Sequence, residues 1–237
     1  MPVLIGPRKV VSGCRSCGEQ WPPPRSFQRA ASALYDGAIG YMDAQLGRVL
    51  DELVRLGLDE NTLIVLWGDH GWHLGDHNSW TKHSNFEQAN RIPLMIVAPG
   101  VGAPGSHTLQ LAETVDVYPT LADLAGLPVP DGPQPIDGLS LVPVLKDPES
   151  RIRDHAYHAY PRQRNRLMGC AIRTERYRMV EWVEVGNPGA ERIYELYDYE
   201  EDPLETRNYA LFRPDVVEEL KMILDQHPPA KAPLKKN

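Results

Sequence analysis

The apolar run Leu63-Ile64-Val65-Leu66-Trp67 leads straight into Gly68-Asp69-His70-Gly71, and Lys82 follows eleven residues later. A carboxylate beside an imidazole is a ligand pair for a divalent cation. The carboxylate suits hard Ca²⁺ or Mg²⁺, and the imidazole adds tolerance for softer metals. Asp69 and His70 are therefore the candidate metal ligands. His73, Asp76, His77 and His83 crowd the same loop, and not all of them can hold one ion. His73 and His77 have the spacing of two ligands on a helix face, but Gly71 and Gly75 argue against a helix there. These two histidines are read as substrate-pocket groups or supports for the ligands. Lys82, between Trp80 and Phe86, is a compact positive charge for an oxyanion. Taken singly, an Asp-His-Gly turn or a lone lysine is an ordinary loop feature. Their density in one loop is what favours chemistry.

Such a loop must be held at the end of a sheet, because open α/β sheets bind ligands outside the carboxyl ends of their strands. The elements around it fit. From Ala30 to Leu56 apolar residues recur at three and four, predicting a long amphipathic helix. Gly57 with Leu58 behind it is a Schellman-type stop. Thr62 to Trp67 and Arg91 to Ala98 read as buried strands, with Pro93 near the start of the second. The helix-turn-strand order is that of a βαβ layer. A helix follows over Val115 to Ala125, and Pro128 to Pro143 is a proline- and glycine-rich connection. The last third changes character. His155 to Tyr160, Gly169 to Arg173, Tyr177 to Trp182 and Ile193 to Tyr197 are short, aromatic and β-branched, predicting a small antiparallel sheet. A short helix over Val216 to Leu224 and a tail complete the chain.

The 237 residues can bury one large or two small cores. A net charge of −7 argues against a nucleic-acid groove, which needs basic surface. No apolar run approaches a membrane span, and the first residues lack the pattern of a signal peptide. Three cysteines, Cys14, Cys17 and Cys170, make no disulfide framework. Cys14-x-x-Cys17 lacks a second ligand pair at zinc-site spacing and is read as inert.

Several ordered motifs resemble the sulfatases of the alkaline-phosphatase-like superfamily, in particular the iduronate-2-sulfatase type. They are Tyr41-Met42-Asp43-Ala44-Gln45-Leu46-Gly47-Arg48, the stretch from Gly68 to His77, Trp80-Thr81-Lys82, Asn85-Phe86-Glu87 and Ile92-Pro93-Leu94. Val115 to Leu121, Asp137 to Leu141, Ile172-Arg173-Thr174, Leu196-Tyr197-Asp198 and Asp202 to Asn208 continue the series. The resemblance runs from about Arg29 to Leu224. It implies an α/β fold, a partial alkaline-phosphatase-like sandwich with a small antiparallel C-terminal subdomain. It also implies that Asp69 and His70 bind Ca²⁺ or another divalent cation, that Lys82 contacts sulfate, and that the substrate is a sulfated small molecule or sugar.

In this family a Cys or Ser in a Cys/Ser-x-Pro-x-Arg motif is oxidised to formylglycine, whose hydrate attacks sulfur. No Cys or Ser here is followed by Pro two residues on and Arg four on, and there is no Asp-Asp pair. The chain therefore resembles the C-terminal part of a sulfatase, and no catalytic nucleophile is identified. The expected organisation is an unassigned segment over 1–28, sulfatase core over 29–150, and the antiparallel subdomain with its helix and tail over 151–237. Two other readings stand beside this one. The first is a phosphodiesterase or phosphonate hydrolase of the same superfamily. The second is a non-catalytic remnant or binding module.

Overall fold

A computed structural model describes residues 24–229 except 103, 129–131, 164 and 188. Cys14 and Cys17 lie outside the described residues. The chain divides into two compact units, residues 1–83 with 88–99, and residues 84–87 with 100–237.

In the first unit, α1 spans Arg25–Arg55 and ends as its sequence predicts. Gly57 has φ +65, and Leu58 N–H returns to the Leu53 carbonyl at 3.1 Å, the reach of a Schellman stop. Strands β1 (Ile64–Trp67) and β2 (Leu94–Val97) form a two-stranded sheet in register Ile64↔Val97 to Trp67↔Leu94. They pair antiparallel, which corrects the βαβ expectation. A parallel crossover needs a dozen or more residues, usually helical. Between these strands the helix is only α2, Glu87–Asn90, and the rest of the connection is loop. Pro93 stays just outside β2, since it has no N–H for a ladder.

The second unit is built on an antiparallel sheet in simple order, β3 (His155–Arg162), β4 (Leu167–Thr174), β5 (Tyr177–Glu184) and β6 (Ile193–Asp198). One face carries Met168, Cys170, Ile172, Met179 and Leu196. It is covered by α5 (Pro214–Leu224) through Val216, Val217, Leu220 and Leu224. The opposite face holds Ala171, Val180 and Trp182. Both faces of β4 and β5 are buried, and β4 accordingly runs apolar from Leu167 to Ile172. Ahead of the sheet, α3 (Val117–Leu124) and α4 (Val142–Lys146) pack together. Fully buried Asp116 ties this region: it accepts from the N–H groups of Glu113 and Leu139 and pairs with Arg153. No helix among the described residues is long and apolar enough to cross a membrane.

Candidate functional site

The loop from Gly68 to Lys82 leaves the carboxyl end of β1 and is fixed by backbone hydrogen bonds. Gly68 N–H bonds the Pro93 carbonyl at 3.1 Å and Gly71 N–H the Ala89 carbonyl at 2.8 Å. A Cβ at Gly71 would lie 1.9 Å from the Gln88 carbonyl oxygen, so only glycine allows this approach. Further on, His73 N–H bonds the Thr81 carbonyl at 2.9 Å, and Gly75, at φ +115, bonds Ser79. The residues 68–75 are not helical, as Gly71 and Gly75 predicted, and a 3₁₀ turn forms only at Asp76–Asn78. Helix α1 supplies aromatic support: Tyr35 stacks on Trp72 with centroids 6.1 Å apart, and Phe27 meets Trp80 edge-on.

Asp69, His70 and Lys82 come together. The Asp69 carboxylate is exposed, and its Oδ2 stands 3.3 Å from His70 Nε2. The His70 Nδ1 lies 2.8 Å from the Gly71 carbonyl, which can only accept, so Nδ1 carries the proton. The lone pair is then on Nε2, where the Lys82 ammonium donates to it. This is the tautomer of a metal-ligating imidazole, held by a backbone carbonyl on its other nitrogen. Two donors each about 2.4 Å from one Ca²⁺ at right angles stand roughly 3.4 Å apart, close to the Asp69–His70 separation. The pair thus fits a shared divalent cation. It is only part of a shell, because no group of three or more His, Cys, Asp or Glu able to hold a metal occurs among the described residues.

His73 and His77 form a second group. The His73 side chain is fully buried, and its Nδ1 bonds the Asp76 carboxylate, whose other oxygen accepts from Leu74 N–H at 3.0 Å. His77 meets His73 edge-on with centroids 5.9 Å apart. It adopts φ +50, a left-handed conformation that costs energy for any residue with a Cβ and that the flanking turn imposes.

A charge network escapes sequence reasoning. Arg178 in β5 is almost completely buried. Its Nε is 2.8 Å from both the Tyr199 hydroxyl and Glu205 Oε1, its Nη1 donates to the Asn85 carbonyl at 2.9 Å, and its Nη2 pairs with Glu87. Glu87 also receives Arg173 at 3.3 Å, and Glu205 accepts the Glu87 N–H at 2.8 Å. Burial pushes the Glu87 carboxyl upward, but Arg178 and Arg173 outweigh it and hold the group below its ordinary value. Two arginines against two glutamates leave the network neutral. Its signal was available: an arginine within the apolar start of a strand, Tyr177-Arg178-Met179-Val180, must find a partner if it is buried.

A family model described as N-sulphoglucosamine sulphohydrolase, C-terminal, matches residues 75–227, and the Sulfatase model matches residues 15–127. The chain belongs to the sulfatase family. The match begins at residue 15, inside the segment 1–28 that the motifs left unassigned. Mouse iduronate 2-sulfatase is 33% identical, over 79% of this chain and 45% of its own length. A solved structure in complex with its substrate D-glucosamine-2-N,6-O-disulfate is 30% identical with a TM-score of 0.67, covering 78% of this chain and 37% of the other. The phosphonate monoester hydrolase of Agrobacterium radiobacter is 31% identical with a TM-score of 0.70, covering 83% and 42%. These neighbours carry the alkaline-phosphatase-like fold. The chain spans less than half the length of the relatives it matches. Sulfatases generally use a divalent metal ion.

Proposed function

We propose that this chain forms the Asp-His side of a sulfatase active site that hydrolyses sulfate esters, with a sulfated sugar as the leading substrate class. Asp69 Oδ and His70 Nε2 would hold Ca²⁺, which when bound withdraws charge from the sulfate oxygens. His70 is oriented by the Gly71 carbonyl. Lys82, whose ammonium donates to His70 Nε2, would be the residue that donates to the substrate oxyanion. His77 stands on the substrate side. His73, read with His77 as a substrate-pocket group or a support, is fully buried and would serve as the support that holds Asp76 and the turn. The observation that carries the reading is the meeting of Asp69, His70 and Lys82 on one imidazole nitrogen at the end of β1. We assign the functional core to 29–150 and the antiparallel subdomain to 151–237.

No residue of the chain fits the nucleophile motif, and covalent catalysis needs an activated nucleophile. The chain alone is therefore expected to show no turnover. The test is calcium titration by calorimetry together with an assay of glucosamine-6-sulfate and an aryl sulfate. Asp69→Ala should abolish the calcium signal. Turnover by the wild-type chain above that variant would refute the expectation of no turnover, and an unchanged calcium isotherm would remove Asp69 from the metal site. A second reading, phosphonate ester hydrolysis, rests on the likeness to the Agrobacterium enzyme. Binding of an aryl sulfate against a phenylphosphonate ester to the calcium-loaded chain, read by the same calorimetry, separates the two.

A further inference from the structure

Two imidazoles meet head-on in the second unit. His155, at the start of β3, and His227, just beyond α5, bring their Nε2 atoms within 2.7 Å. Their ring centroids are 5.0 Å apart. That is the 2.7 Å contact plus the two ring radii, so both nitrogens and both ring centres lie on one line. Two imidazoles on one metal approach it at an angle: tetrahedral zinc, with nitrogens at about 2.0–2.1 Å, holds them roughly 3.3 Å apart. The collinear pair fits a single proton instead, with one imidazole donating and the other offering its lone pair. Tyr157 stacks on His227 at 4.4 Å with the planes 6° apart, and its hydroxyl donates to Cys170 Sγ at 3.6 Å. His227 N–H bonds the Leu224 carbonyl at 3.0 Å, which turns residues 225–229 back from the helix end. His227, Pro228 and Pro229 line a cavity of about 340 Å³, with Cys170, Glu181, Arg192 and Leu224 on its other walls.

The surrounding charges suit one positive charge on the pair and oppose two. Glu113 favours a charge on His227, but its carboxylate is already engaged by Arg153 and by the Tyr157 N–H, both at 2.6 Å. The carboxyl end of α5 also favours a cation. Asp225 and Glu184 line the cavity, with Glu184 paired to Arg166 at 3.2 Å. Glu181 is taken up by Arg192 and the Tyr194 hydroxyl, both at 2.8 Å. Burial lowers the His227 pKa, and His155 adds to this against Glu113.

We propose that the His155–His227 bond is an acid-released latch. Near neutral pH it holds the strap 225–229 over the Cys170 cavity, and it lets go once both imidazoles are protonated. The first added proton goes to Nδ1 of the donating ring and turns the contact into a charge-assisted bond, which tightens it. A second proton must go to the accepting Nε2. It consumes the lone pair and sets two N–H groups against each other on one line. The open strap thus holds one more proton than the closed one, so opening grows by roughly tenfold per pH unit below the ordinary histidine value of about 6.5. The latch does not depend on the catalytic proposal. Amide hydrogen exchange of the whole chain, corrected for intrinsic rates, tests it. Protection of the 225–227 amides should fall roughly tenfold from pH 6 to pH 5, while circular dichroism still reports a folded chain. In Cys14→Ser, Cys17→Ser chain, attack of 4,4′-dithiodipyridine on Cys170, relative to the urea-unfolded chain at the same pH, should rise by the same factor. His155→Gln should abolish both pH steps, and His227→Gln serves the same comparison if that variant does not fold. Strap protection that is constant from pH 6 to pH 5, or that falls equally in the glutamine variant, would overturn the latch. Zinc binding that requires both histidines would overturn the one-proton geometry. A Cys170 thiol that stays shielded while the 225–227 amides open would overturn the strap's place over the cavity.

Discussion

His158 should make the second unit acid-sensitive well above the range in which carboxylates titrate. It lies in β3 opposite Ala171, and its Nε2 is buried with no hydrogen-bond partner among the described residues. Burial, helped by the positive charge of Arg178 and opposed by Glu87, lowers the imidazole from about 6.5 to about 3. His158 therefore folds neutral and is protonated first in the unfolded chain. A group whose folded pKa is depressed in this way contributes stability above its unfolded value. That stability drains as pH falls, until the folded value is reached. At about 1.36 kcal/mol per unit, going from pH 7 to pH 5 should cost roughly 2 kcal/mol through this one residue. The assay is urea unfolding at pH 7 and pH 5, followed by tryptophan fluorescence. His158→Gln should remove most of the difference. His227 contributes with the same sign. Its pKa is lowered by partial burial and by His155, against Glu113, so a His158→Gln, His227→Gln double variant should be flatter still. Glu87 is held low by its arginines and Asp198 by Arg176. Both lose their contribution only below about pH 4, outside the window. If His158→Gln loses as much stability between pH 7 and 5 as the wild type, the buried neutral histidine is not the cause.

Arg178→Met should destabilise the second unit by about 3–5 kcal/mol, because it strands Glu87 and Glu205 without their shared cation. Urea midpoints measure this, and a loss below about 1 kcal/mol would show that the network is already hydrated. Gly169→Ala places a Cβ 2.4 Å from Asn85 Nδ2 and 2.6 Å from the Trp182 ring. It should cost about 1–3 kcal/mol as overpacking, and an unchanged melting temperature would mean that the Asn85 segment yields freely. Gly71→Ala meets backbone rather than a side chain, so it should displace the Asp69–His70 loop and weaken calcium binding while the Trp182 region unfolds as before. Wild-type calcium affinity in Gly71→Ala would refute the role given to that close approach.

What could be read in the sequence, and what could not, follows from the range of the forces involved. The long α1, the four strands β3–β6 and α5 are encoded by local periodicity and turn residues, and their ends came within a few residues. The direction of β2 against β1 is not local. Both strands are apolar runs, and a run without alternation says nothing about whether its neighbour is parallel. The Asp69, His70 and Lys82 grouping was legible because three chemistry-bearing residues sit in one loop. Its decisive detail, the Gly71 carbonyl that fixes the His70 tautomer, is a backbone contact with no residue-type signature. The motifs downstream divide in the same way. Asn85-Phe86-Glu87 and Asp202 to Asn208 stood out as ordered patterns, and such patterns invite a chemical reading. Their side chains turn out to satisfy a buried arginine from β5. Glu87 and Glu205 reach Arg178 across 91 and 27 positions of chain, and Glu205 does so from φ +55. A strained residue and two carboxylates are held around one buried guanidinium. Ionisable side chains concentrated in a sulfatase chain can therefore serve the packing of a sheet as readily as the chemistry of an ester, and only their partners separate the two uses.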